Sequence, residues 1–592
     1  MTAENRNTMW AGSLVEELAR QGVAHVCVAP GSRCAPLVLA FATDDRFTLH
    51  AHFDERSAAY FALGLGKVSA VPAAVVTTSG TAAANAFPAV IEASQGETPL
   101  LLLTADRPGN LRGLDANQTI DQVRLYGGYV RDFHDVELPT VEDLPLRQLR
   151  SLVARAVSAT MSPVAGPVHL NLQFEKPLER QPVPGDVPAG FSLDARLAAS
   201  GRPENRPFTV VRQPTVVPGP ELLTELAQRV GQARRGLLVS GPVGDSASLG
   251  VAVVDLARAT GYPLIADPLS GARFTPGAAR WAVAGYDAFL EGAGERERFR
   301  PDLIIRIGAS PTSASTLAFL ERCGAPQIVI DSGGRWKDHL ATAEEYVVAD
   351  PAVAASGLAG LVQATADDRW AGMWSEASDV AGRVLDTELN AEFFEGAAVA
   401  EVCRILPDDS TLFIGNSMAI RDLSAFGRPR DSAIRVVGHR GASGIDGNVS
   451  SAIGAAVASS RPTVAVLGDL AFLHDVNGLA SVRRERPNLT FVVINNDGGG
   501  IFHMLPISDL ADVFEPYVAM PHGLDLERLA RVYEVPYARV ESMSELRTAL
   551  KDPDVALGPR LLEVPFSREA SHRRRGTVIE AVQRAVFDRM TG

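Results

Sequence analysis

Lysine is scarce in this chain of 592 residues. Of its 56 basic residues only Lys67, Lys176, Lys337 and Lys551 are lysines, so arginine has taken nearly every basic position. A pyridoxal-phosphate enzyme holds its cofactor on a Schiff-base lysine, and so small a supply weakens that reading. It also makes any single arginine weak evidence. Cysteine is rare too: Cys27, Cys34, Cys323 and Cys403 are scattered with no Cys-x-x-Cys pair, which indicates neither a disulfide framework nor a zinc site. Positive charge is in deficit. A net charge of −14 and a pI near 5.4 offer no basic face to nucleic acid or to an anionic membrane. No run of about 18 apolar residues exists to span a bilayer, and Met1 to Ala11 lacks the basic-then-apolar layout of a signal peptide. The expectation is a cytoplasmic enzyme with no membrane span and no nucleic-acid partner.

The length is too great for one core and suggests three or four domains. Three α/β blocks can be drawn. Residues 1–185 carry strand candidates at Val23–Ala29, Ala73–Thr78, Leu100–Thr104 and Val168–Leu172, with helical patterns between them. A stretch rich in Pro, Gly and Arg then runs to Pro220, and residues 186–220 read as a linker. Residues 221–365 alternate apolar runs (Gly236–Ser240, Pro263–Ala266, Leu303–Ile307, Gln327–Ile330) with helical stretches, the mark of a parallel sheet covered by helices. A second linker, residues 366–384, leads to a third block at 385–592. The fold expected is α/β, with three Rossmann-like parallel-sheet domains.

The third block holds the most informative pattern. The run Thr463 to Leu467 ends in Gly468-Asp469, and the run Leu489 to Ile494 ends in Asn495-Asn496. Phe472 to Glu485 has the length and polarity of a crossover helix. The unit reads as βαβ, with the carboxyl ends of two parallel strands side by side, where ligands bind in open α/β sheets. An Asp carboxylate and an Asn carbonyl are hard oxygen donors suited to Mg²⁺. Gly498-Gly499-Gly500 follows at once, so the chain can approach a ligand closely and turn a carbonyl inward. Taken singly, Gly-Asp and Asn-Asn are ordinary turn residues; the pair across one crossover argues for a metal.

In the first block a strand-like stretch from Thr48 meets a helix at Asp54-Glu55, with Asp54 placed as N-cap and Glu55 in the first turn. Acids are favoured there by the helix dipole alone. Thr77 to Ala82 follows a strand and opens an Ala-rich helix. Further phrases recur in the loops: Pro30-Gly31-Ser32-Arg33, Thr104-Ala105-Asp106-Arg107-Pro108, Asn117-Gln118-Thr119, Gly415-Asn416-Ser417-Met418, Arg440 to Gly447, and Gly499 to Pro506.

The Asp469/Asn496 spacing resembles the thiamine-diphosphate signature, in which Gly-Asp-Gly is followed after about 25 to 30 residues by Asn-Asn. Leu470 stands where the signature has its second Gly. Together with the loop phrases, the chain closely resembles the menaquinone-pathway carboligases that make 2-succinyl-5-enolpyruvyl-6-hydroxy-3-cyclohexene-1-carboxylate. The resemblance covers the first and third blocks and is vague in the middle one. It implies pyrimidine-binding, middle and diphosphate-binding domains in that order. Its cofactors would be thiamine diphosphate and Mg²⁺ or Mn²⁺, the metal held by Asp469, Asn496 and the carbonyl of Gly498. Glu55 would hydrogen-bond the pyrimidine N1′ and favour the imino tautomer that removes the C2 proton. Gly80 would lie near the pyrimidine, Ile445 would prop the bent cofactor, and Ile501, Phe502 and Leu505 would line its pocket.

The same resemblance implies decarboxylation of 2-oxoglutarate and addition of the succinic-semialdehyde carbanion to isochorismate. Several carboxylates must then be bound, a task suited to arginine's planar fork. Ser32, Arg33, Arg107, Asn117 and Gln118 match isochorismate contacts. Ser417 and Arg421 match residues near the 2-oxoglutarate-derived chain, and Arg440 is a further match. No middle-domain site residue is expected, because Gly308 to Ser315 lacks the basic pair that some relatives carry. A homodimer or dimer of dimers is implied, with active sites at the subunit interface. Two alternatives stay open: another carboligase or decarboxylase, acetolactate-synthase-like, and a non-catalytic nucleotide-binding α/β protein.

Overall fold

A computed structural model describes residues 5–187, 197–244, 247–293, 297–363, 366–551 and 558–591. The chain divides into two compact units: Met1–Pro214 with His439–Ser460 and His474–Pro487, and Thr215–Gly438 with Arg461–Leu473 and Asn488–Gly592.

The first unit contains β1 (His25–Val28), β2 (Thr48–Ala51), β3 (Ala73–Thr77), β4 (Leu100–Asp106), β5 (Asp132–Val136) and β6 (Pro167–Gln173). They form one all-parallel sheet in the order β2-β1-β3-β4-β6-β5. The central strands β3 and β4 are buried along their whole length. That is why they read as unbroken apolar runs, as strands covered on both faces must. A core of Trp10, Leu14, Phe41, Leu103, Val153 and Phe174 fills one face.

A close helix pair also belongs to this unit. The helix Glu55–Ser69 packs on Asn448–Ala458, and Ser451 Oγ donates to the Tyr60 carbonyl at 2.7 Å. The crossing is built on glycine: a Cβ on Gly64 would meet Ser451 O at 2.1 Å, and one on Gly454 would meet Phe61 O at 2.1 Å. This sets the sign of a substitution. Gly454→Ala gains about 1 kcal/mol of helix propensity, but the contact is backbone and cannot move aside, and overpacking costs about 1–3 kcal/mol. A lowered melting temperature is expected; an unchanged or raised one would show that the helices can separate freely.

The second unit holds two parallel sheets. The middle sheet, β7 (Gly236–Ser240), β8 (Leu264–Ala266), β9 (Leu303–Ile307), β10 (Gln327–Asp331) and β11 (Glu345–Val348), runs β11-β10-β9-β7-β8. The last sheet comprises β12 (Thr411–Ile414), β13 (Arg435–Gly438), β14 (Thr463–Gly468), β15 (Leu489–Asn495), β16 (Tyr537–Arg539) and β17 (Arg560–Pro565). Its order, β13-β12-β14-β15-β17-β16, repeats that of the first sheet strand for strand. The long helix Arg568–Thr591 sets Val578, Val582 and Val586, one turn apart, into a core with Phe289, Phe299 and Trp374. Arg273 is fully buried and donates to Leu423 O (3.0 Å) and Ser424 O (2.8 Å), satisfying two carbonyls in the last turn of the helix Met418–Phe426.

The α/β class with three parallel sheets is as read from the sequence. The expected crossover helix is not continuous: Phe472–Glu485 is broken into the α-helix Asp469–His474, the 3₁₀ stretch Val476–Ser481 and the short helix Val482–Glu485. Gly478 sits in the break, where a Cβ would lie 2.5 Å from Ser450 Oγ. Residues 188–196 of the expected linker lie outside the described residues.

Candidate active site

β14 and β15 are adjacent and parallel, with Leu467 opposite Val493 and Gly468 opposite Ile494. Their ends therefore deliver Asp469 and Asn496 to one place. Asp469 is buried; its Oδ2 accepts from the backbone N–H groups of Asn496 (3.1 Å) and Gly498 (2.9 Å), and its Oδ1 from Leu470 N (2.6 Å). Burial pushes the Asp469 carboxyl above the ordinary carboxylate value, with those N–H groups and His522 opposing. His522 Nε2 is 3.3 Å from Asp469 Oδ2, while its Nδ1 accepts from Leu524 N at 2.9 Å. That second bond leaves the ring proton on Nε2, pointing at the carboxylate.

The Asn496 carboxamide is also fixed. Its Nδ2 donates to Glu395 Oε1 at 2.8 Å, and its Oδ1 is buried with no hydrogen-bond partner. A buried carbonyl oxygen without a donor is costly and calls for an explanation. Together with the buried Asp469 carboxylate, this oxygen is a donor set that fits a hard divalent cation. Gly498 adopts φ 136°, and a Cβ there would lie 2.3 Å from Ala519 O. The loop beyond it exposes apolar side chains: Ile501 and Phe502 are half-buried and Leu505 is 49% exposed, so none of the three is core.

Arg421 lies in the same unit, one turn into the helix that Ser417 begins. Ser417 has φ 63° and ψ −127°, unusual for a residue with a side chain, and its carbonyl accepts from Arg421 Nη1 at 2.7 Å. Burial lowers the Arg421 pKa, with Asp287 opposing. Asp287 belongs to the middle-sheet segment and accepts from Ser313 Oγ at 2.5 Å.

The first unit gathers a second set at the carboxyl ends of β1, β3 and β4. Ser32 and Arg33 form a 3₁₀ turn after β1, and Arg107 follows β4 directly. Arg33 is buried and donates through Nη1 to Phe174 O at 2.7 Å, while its Nε has no partner. Burial and then the nearby Arg107 charge lower its pKa, with Asp106 opposing. Arg107 Nε donates to Asn117 O (3.0 Å) and Thr119 Oγ1 (3.1 Å). Gln118 has φ 55°, and its carbonyl accepts from Ser79 Oγ at 3.0 Å. Gly80, at φ 87°, would place a Cβ 3.1 Å from Gln118 Cγ. Ser32, Asn117 and Gln118 thus lie about two arginines, one of which, Arg33, has a buried donor to spare, a set that suits an anion. The Thr78 hydroxyl, also buried and without a partner, joins them just after β3, in the Thr77 to Ala82 loop noted in the sequence.

Glu55 is half-buried at the first position of its helix, and Asn85 Nδ2 donates to its Oε2 at 3.1 Å. Asp54 caps the helix, accepting from Arg56 N at 2.9 Å. Arg440 and Ile445 lie in a loop of this unit. Glu92 anchors that loop by accepting from Gly441 N (3.0 Å) and Ala442 N (2.7 Å), and Tyr60 by a short hydrogen bond to Asp446. Lys67, one of the four lysines, lies 3.6 Å from Glu92.

Family models match in series along the chain: the thiamine pyrophosphate enzyme N-terminal TPP binding domain over residues 10–125, the middle domain of thiamine pyrophosphate enzymes over 208–414, and the C-terminal TPP binding domain over 422–564. Among curated proteins, the 2-succinyl-5-enolpyruvyl-6-hydroxy-3-cyclohexene-1-carboxylate synthase of Halobacterium salinarum is 46% identical over 589 residues, covering 98% of this chain and 99% of that protein. The synthase of the same name from a Roseiflexus species is 41% identical, covering 98% of each. The chain belongs to this synthase family of thiamine pyrophosphate enzymes. The solved benzoylformate decarboxylase of Polynucleobacter necessarius has a TM-score of 0.69 at 18% identity, over 94% of this chain and 98% of that one, and shows the shared fold. Within the synthase family, then, the Asp469/Asn496 pair occurs with Leu470 in place of the generic second Gly. Leu470 takes part through its backbone N–H, which its side chain leaves unaltered. No helix among the described residues is long and apolar enough to cross a membrane.

Proposed function

We propose that this thiamine-pyrophosphate enzyme decarboxylates 2-oxoglutarate and transfers the remaining four-carbon unit to isochorismate, releasing CO₂ and 2-succinyl-5-enolpyruvyl-6-hydroxy-3-cyclohexene-1-carboxylate. The observation that carries the reading is the buried, unpartnered Asn496 Oδ1 beside Asp469, a donor pair suited to the metal of a diphosphate. Asp469, Asn496 and the Gly498 carbonyl would hold Mg²⁺ or Mn²⁺. The cofactor, when bound, supplies the electron sink that decarboxylation of a 2-oxo acid requires.

This chain's residues do the rest. Glu55 would hold a proton at the pyrimidine N1′. Gly80 would lie near the pyrimidine, Ile445 would support the bent cofactor, and Ile501, Phe502 and Leu505 would line its pocket. Ser417 and Arg421 bind the distal carboxylate of 2-oxoglutarate, with Arg440 a further cation. Ser32, Arg33, Arg107, Asn117 and Gln118 orient isochorismate. The reading includes a cytoplasmic homodimer or dimer of dimers, one subunit supplying Glu55 and its partner Asp469. The exposed apolar run of Met504, Leu505, Leu510, Val513, Tyr517 and Met520 supports it, being surface that a second copy would cover. Light scattering that finds an active monomer would refute this part.

The subsites can be tested separately. Arg421→Ala is expected to weaken use of 2-oxoglutarate by about 2–5 kcal/mol, the cost of leaving a buried carboxylate without its charged partner. Arg33→Ala and Arg107→Ala should leave decarboxylation intact and impair the isochorismate step. Measuring CO₂ release and product formation for each variant decides it, and equal damage to both steps by all three would remove the assignment of separate subsites.

A further inference from the structure

The metal donors depend on a residue that is not itself a ligand. Asn496 can offer an oxygen to a cation only if its carboxamide is turned with Oδ1 toward the site. A carboxamide is nearly symmetric in shape, so packing alone does not choose between Oδ1 and Nδ2. Hydrogen bonding chooses, through Glu395. Glu395 opens the helix Glu395–Ile405, is 5% exposed, and accepts from Asn496 Nδ2 through Oε1 at 2.8 Å. With the amide nitrogen engaged by Glu395 Oε1, the Asn496 oxygen faces away from it. The oxygen facing away is the one left without a partner. Glu395 is held in turn by groups on the helix Arg568–Thr591: Ser571 donates to it, and the buried Arg575 attracts it. Arg568 of that helix donates to the Asp497 carbonyl at 2.8 Å, bracing the ligand loop from the other side.

We propose that Glu395 is a positioning residue for the metal centre, fixing the Asn496 carboxamide so that Oδ1 rather than Nδ2 meets the divalent cation. The proposal rests on the reading of Asp469 and Asn496 as metal ligands. Groups that orient a ligand from outside are typically worth about 10- to 100-fold in metal affinity, which sets the expected effect.

The test measures Mn²⁺ affinity by calorimetry on the full-length protein with thiamine diphosphate present, alongside the melting temperature without metal or cofactor. Glu395→Ala should weaken Mn²⁺ binding about 10- to 100-fold, and Glu395→Gln, whose carboxamide can accept from Asn496 or donate to it, should recover only part of it. A sharper comparison exchanges donor and acceptor. Asn496→Asp alone sets two carboxylates against each other, whereas Asn496→Asp with Glu395→Gln lets the glutamine donate and leaves a carboxylate oxygen for the metal. The double variant should bind Mn²⁺ more tightly than Asn496→Asp alone, a non-additivity that a purely structural role for Glu395 does not produce. Asp469→Ala separates the two levels. If it loses Mn²⁺ while Glu395→Ala binds within twofold of wild type, or if the exchange is additive, the positioning role is overturned and the metal site stands. If Asp469→Ala binds Mn²⁺ like wild type, the metal reading fails and this proposal with it.

Discussion

Asp469→Ala is expected to bring thiamine diphosphate and Mg²⁺ binding down by two to four orders of magnitude while the fold survives. In the proposed site Asp469 is the one charged metal ligand among the described residues, so no other carboxylate there replaces it. Removing one member of a buried charged pair costs about 3–5 kcal/mol, and each 1.4 kcal/mol is about tenfold in affinity. The fold is at less risk, because burial already disfavours the Asp469 charge when no metal is present. What the alanine does cost is an acceptor for the N–H groups of Leu470, Asn496 and Gly498. Asp469→Asn is therefore the cleaner partner experiment, since it keeps an acceptor oxygen and the side-chain volume but not the charge. Calorimetry on both variants, with melting temperatures, distinguishes ligand loss from unfolding. Wild-type affinity in either would disprove the metal assignment.

The second large effect belongs to Glu55. Glu55→Gln keeps the size of the side chain and can still hydrogen-bond a ring nitrogen, but it has no carboxyl proton to place there. Cofactor binding should stay near wild type while C2-proton exchange and turnover fall together by about 10² to 10⁴-fold, the usual worth of a catalytic proton-transfer group. The competing account makes Glu55 a first-turn acid that complements the helix dipole. That account predicts at most about 1 kcal/mol of lost stability and normal turnover. It is already weakened locally, because Asp54 occupies the cap and accepts from Arg56 N and Ser57 N. Exchange at the wild-type rate in Glu55→Gln would end the catalytic assignment.

What could be read from the sequence follows from burial and from range. β3, β4, β14 and β15 lie between helical layers, so both faces are apolar and each strand announces itself. The edge strands β5 and β16 are largely unburied and mixed in polarity, and they carry no such signal. The broken crossover was hidden because Phe472 to Glu485 has helical composition, and the close packing of Gly478 on Ser450 within the break involves a residue outside that segment. Arg33, Arg107 and Gln118 stood in recognisable loop phrases. Glu395 and His522 did not. Their meaning lies in partners far away in the chain, Asn496 at 101 positions and Asp469 at 53, and a lone Glu opening a helix looks like any first-turn acid.

The central claim is a two-substrate reaction on a metal-held cofactor. It is tested most directly by supplying purified protein with 2-oxoglutarate and isochorismate and following CO₂ and the condensed product together. The account predicts stoichiometric formation of both, abolished by omitting thiamine diphosphate or by chelating the divalent metal. CO₂ release indifferent to the metal, or a product that forms equally well with a neutral acceptor in place of isochorismate, would contradict it.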